Sequence, residues 1–79
     1  MTIDFASMLS NDQKRQLILN RIQQFVAEGY QLTLNKRTAE SLGSTTQVES
    51  TEKAIAVLEE AIRAHKEELH KIPSGEEQA

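Results

Sequence analysis

Between Val48 and Ile72 one pattern returns at alternating intervals of three and four residues: Val48, Thr51, Ile55, Leu58, Ile62, His65, Leu69 and Ile72. A spacing that averages 3.5 residues keeps these side chains on one stripe of an α-helix. Held over more than three heptads, it requires a second helix lying alongside at a shallow left-handed crossing. Ala54 and Ala61 flank the stripe and permit close approach. The opposite face carries Glu49 with Lys53, Glu59 with Arg63 and Glu67 with Lys71. Each acid there precedes its base by four residues, the favourable order for ion pairs on a solvated helix. Thr46 with Glu49 has the spacing of a capping box, and Pro73, Ser74 and Gly75 end the pattern, so this helix is expected over 47–72.

The partner is found upstream. Ser10 with Gln13 has capping-box spacing, and Ile18, Ile22, Phe25, Gly29 and Leu32 repeat the four-three alternation, giving a first helix over 10–42. Within it, Tyr30, Leu32 and Leu34 also alternate as a half-buried strand would. A lone strand would have nothing to pair with in the same chain, so continuous helix through 29–36 is the preferred reading. The spans Ile18 to Leu42 and Val48 to Ile72 have equal length. A turn over 43–46, with Gly43 in the left-handed position, would therefore bring Ile18 to Ile72 and Leu42 to Val48. The fold expected is all-α: one domain over 1–79, an antiparallel helical hairpin of coiled-coil type, with a flexible tail over 73–79. Residues 1–9 hold Ile3, Phe5, Met8 and Leu9, too apolar for a free tail. They are expected to form a short helical segment that folds over the open end of the hairpin or docks on a partner.

A chain of 79 residues supports only a marginal core. With no cysteine, neither disulfides nor thiolate-bound zinc can reinforce it. His65 and His70 are about 140° apart around a helix and cannot share a metal ion within the chain. Association is the support that is left. Leu17, Leu19, Val26 and Tyr30 widen the apolar arc of the first helix to about 200°, more than one neighbouring helix can cover. The expectation is a homodimer in which two hairpins make a four-helix bundle. Gly29, unfavourable inside a helix, fits a close approach or a kink at such a contact.

No catalytic constellation is visible. Glu59-Glu60 and Glu67-Glu68 are adjacent pairs that point to different faces, the serines and threonines of 41–51 have no base beside them, and the glycines stand singly at 29, 43 and 75. His65 in the seam reads as a residue that fixes register, and no cofactor or metal is expected. The net charge of −3 divides unevenly: five basic against three acidic residues over 11–42, and four against eight from Gly43 onward. The halves attract weakly, and no concentrated basic face suits a nucleic-acid backbone. The absence of an 18-residue apolar run and of a secretory start argues for a cytoplasmic chain with no membrane partner.

The function expected is a non-catalytic interaction or assembly module that binds or inhibits a protein partner, with Phe5, Met8, Leu17, Leu19 and Tyr30 as contact residues. The alternative is a binder of small anions of nucleotide type, in which Lys36 and Arg37 enclose the ligand unless Lys36 pairs with Glu52 or Glu49. Residues 24–40 loosely resemble short proteins encoded by bacteriophages, a phage-type accessory protein; no motif with a mechanism carries that likeness, and nothing is drawn from it.

Overall fold

The computed structural model describes residues 2–73; the tail expected over 73–79 lies outside them apart from Pro73. A 3-10 turn, η1 (Phe5–Met8), precedes two helices, α1 (Asn11–Leu42) and α2 (Thr45–His70), which pack against each other as an antiparallel hairpin with no strand among the described residues. The segment 29–36 is continuous helix. The Thr33 hydroxyl donates to the Gly29 carbonyl at 2.9 Å, so the polar group of this residue is satisfied inside the helix.

Local chemistry sets the boundaries. Ser10 caps α1 with both bonds of a capping box: the Gln13 amide donates to Ser10 Oγ at 3.1 Å, and the Ser10 amide to Gln13 Oε1 at 2.9 Å. At the other end Gly43 adopts φ 73°, the left-handed conformation that a Cβ disfavours. The Gly43 amide donates to the Glu40 carbonyl and the Ser44 amide to the Ala39 carbonyl, the Schellman arrangement that satisfies the last carbonyls of a helix. The turn is shorter than the expected 43–46. Ser44, not Thr46, caps α2, its Oγ accepting from the Gln47 amide at 3.4 Å, and the helix ends at His70 rather than at 72. One residue past the left-handed glycine suffices to reverse the chain, so the earlier of two possible caps is used.

The contacts across the hairpin show its register. Lys36 Nζ meets Glu52 Oε2 at 3.1 Å, the rings of Phe25 and His65 stand edge to face at 5.0 Å, and Arg15 Nη2 donates to the Pro73 carbonyl at 2.5 Å. Each contact joins residue numbers that add to 88 or 90, as an antiparallel pair turning at 43–44 requires. Ile22, Phe25, Gly29 and Leu32 from α1 face Val48, Ile55, Leu58, Ile62 and Leu69 from α2, and all of them are half-buried. Only Ile18 and Ala39 are buried outright among the described residues. A hairpin has one internal seam, and each helix can hide one stripe in it.

The solvated face of α2 pairs differently from expectation. Arg63 bridges Glu60 and Glu67 rather than Glu59, Lys71 reaches Glu68 at 3.6 Å rather than Glu67, and Glu49 and Lys53 form no ion pair among the described residues. Exposed side chains choose among i,i+3 and i,i+4 partners of nearly equal energy, and spacing alone does not select between them.

Candidate interaction surfaces

Helix α1 carries apolar side chains on both flanks of the seam. Leu17 and Leu19 are two residues apart, about 200° around the helix, so they look out from opposite broad faces of the hairpin. Leu17 lines an open groove of about 360 Å³ with Arg21, Ala64, His65 and Glu68. On the other flank the exposed residues are Leu19, Val26, Tyr30 and Leu34. The structure thus separates Leu17 from Leu19 and Tyr30.

The N-terminal segment lies beside the open end of the hairpin, and every residue from 2 to 10 is exposed. In η1 the Ser7 amide and hydroxyl both donate to the Asp4 carbonyl, at 3.2 and 2.9 Å. Ala6 and Leu9 share an open groove of about 250 Å³ with Leu17, Ile18 and Ile72. Phe5 and Met8 do not line that groove and are 72% and 71% exposed. A segment that leaves these two side chains in water has apolar surface to offer.

Lys36 and Arg37 do not converge. Adjacent residues diverge by about 100° on a helix, and Lys36 is drawn into the seam by Glu52 while Arg37 stays exposed. Toward the turn, Asn35, Thr38, Gln47, Ser50 and Thr51 line an uncharged polar groove with Ala39. The Thr38 and Thr51 hydroxyls are already bonded to the carbonyls of Leu34 and Gln47.

His65 is a packing residue in this fold. Its Nδ1 lies 2.7 Å from the Ala61 carbonyl, an acceptor only, so Nδ1 carries the proton; the ring stands edge to face with Phe25, and the Arg21 guanidinium lies 5.8 Å from the centre of the Phe25 ring. Among the described residues no group of three or more His, Asp or Glu is gathered as a metal site would need. No helix among them is long and apolar enough to cross a membrane. An added Cβ at Gly29 would meet nothing within 4 Å, so the hairpin itself does not require glycine there.

Sequence reasoning passed over Leu34 as a contact residue and took Val26 only as part of a wide arc. Their signal was present: Ile22, Val26, Tyr30 and Leu34 are each four residues apart, one row along the surface of α1. Compared with protein families, curated proteins and solved structures, the chain shows no match.

Proposed function

We propose that this protein is a non-catalytic assembly module: a helical hairpin that associates with a second copy, four helices in all, and presents its N-terminal segment to another protein. The observation that carries this reading is the set of large apolar side chains that the hairpin leaves exposed. Among the described residues Leu17, Leu19, Val26, Tyr30 and Leu34 of α1 are 41–62% exposed, and Phe5 and Met8 of η1 are 72% and 71% exposed. Apolar surface of this extent on one small chain is what association removes from water.

Light scattering over a concentration series tests it. A dimer mass that falls toward the monomer on dilution is the expected result, and a monomer at every concentration overturns self-association. A nucleotide panel added to the same sample is expected to leave the melting temperature unchanged. A rise would instead support the anion-binding reading of Lys36 and Arg37, because a ligand that binds only the folded chain stabilises it by mass action.

A further inference from the structure

Resting on that self-association, we infer that the second copy is met along the row Ile22, Val26, Tyr30 and Leu34, with the two α1 helices crossing obliquely near Tyr30 rather than running side by side. Val26, Tyr30 and Leu34 are 50%, 62% and 41% exposed, while Ile22 anchors the row where it leaves the hairpin seam. Rows of residues four apart form ridges inclined to the helix axis. Two such ridges interlock at a crossing of about −50°, whereas a side-by-side pair at about +20° uses alternating threes and fours.

The chemistry of the two stripes separates the alternatives. A side-by-side stripe on this flank would run through Leu19, Gln23, Val26, Tyr30, Thr33 and Arg37, drawing an amide and a guanidinium into the contact. The oblique row contains neither. Thr38, which continues it, has its hydroxyl bonded to the Leu34 carbonyl at 3.0 Å and brings no unsatisfied group to the contact.

A second copy is also the occupant that the charge pattern suits. From Ile22 to Asn35 the only charged residue is Glu28, which lies on the Leu17 side of the seam, away from the row. The remaining charges of α1 stand toward its two ends. A symmetric contact puts every residue near the axis against itself, so a charge-free centre is what it needs. A partner recognised by charge would find nothing there to read.

The test compares Leu34→Lys with Leu19→Lys. Both positions are exposed in the hairpin, so neither change should unfold it, and far-UV circular dichroism checks this. Leu19 is 11 residues from Tyr30, about 16 Å along the axis, beyond the reach of an oblique contact. Leu34→Lys is expected to raise the dimer dissociation constant by about tenfold or more, and Leu19→Lys by less than about threefold. Equal weakening by both, or a larger effect at Leu19, overturns the oblique row while leaving the dimer. A wild-type chain that is monomeric at every concentration overturns the reading beneath it as well.

Discussion

Gly29 and Gly43 lie 14 residues apart in the same hairpin, yet a methyl group added to each should have opposite effects. At Gly29 the backbone is helical and the added Cβ meets open space. The sign there is decided by the conformational freedom that glycine has in the unfolded chain and by its poor helix propensity. Gly29→Ala should stabilise the chain by about 1 kcal/mol, a rise of about 4–8 °C in melting temperature at fixed protein concentration. At Gly43 space is also open, but φ is 73°, where a Cβ crowds the following carbonyl oxygen. Gly43→Ala should destabilise by about 1–2 kcal/mol. Thermal melts of the two variants beside the wild type check both signs. A fall on Gly29→Ala would mean that another backbone approaches at that point, as the residue pattern alone suggested.

For the helices, the solvated face of α2 offers a pH test. The Arg63 guanidinium beside Glu60 holds that carboxyl below its ordinary value of 4.5, and the same contacts push Arg63 up. A carboxyl whose folded-state pKa is depressed stabilises the fold above its unfolded value and loses that contribution as the pH falls through the lower folded value. The helicity advantage of wild type over Arg63→Gln should therefore be full at pH 6 and shrink below about pH 4.5, and circular dichroism at stepped pH measures it. Both side chains are exposed, so the difference should also weaken with added salt. The contrast between this face and the seam explains what the sequence could disclose. The seam residues from Ile18 to Leu32 and from Val48 to Ile72 lie between the helices, because one-sided burial is a strong constraint that leaves a period in the residue order. The Lys36–Glu52 pair was legible for the same reason, since a lysine on a seam has few places to go. The cap of α2 was not. Ser44 with Gln47 and Thr46 with Glu49 have the same spacing, and the tight reversal at Gly43 decides between them. The exposed ion pairs and the separation of Leu17 from Leu19 were also lost, the first to near-equal alternatives and the second to treating a wide arc as one surface.

In the whole molecule, the N-terminal segment and the α1 row divide the apolar surface into two parts that should be separable by experiment. Ala6 and Leu9 line a groove with Leu17, Ile18 and Ile72, whereas Phe5 and Met8 do not. Leu9, 38% exposed, is the most covered of the segment's large apolar side chains, so Leu9→Ser should destabilise the chain by about 1 kcal/mol. The double change Phe5→Ser and Met8→Ser alters side chains that touch mainly water, so it should move stability by less than about 0.5 kcal/mol. It should also leave the mass seen by light scattering unchanged, because the row proposed for self-association lies near the middle of α1, on the flank opposite Leu17. If the double variant instead lowers the melting temperature as much as Leu9→Ser does, Phe5 and Met8 are already covered within the dimer. The surface available to a different protein would then shrink to the groove around Leu17, Arg21 and Glu68. If both stability and mass hold, the two most exposed apolar side chains of the segment contribute nothing to the protein's own assembly. Contact with something outside that assembly is then the use that remains for them.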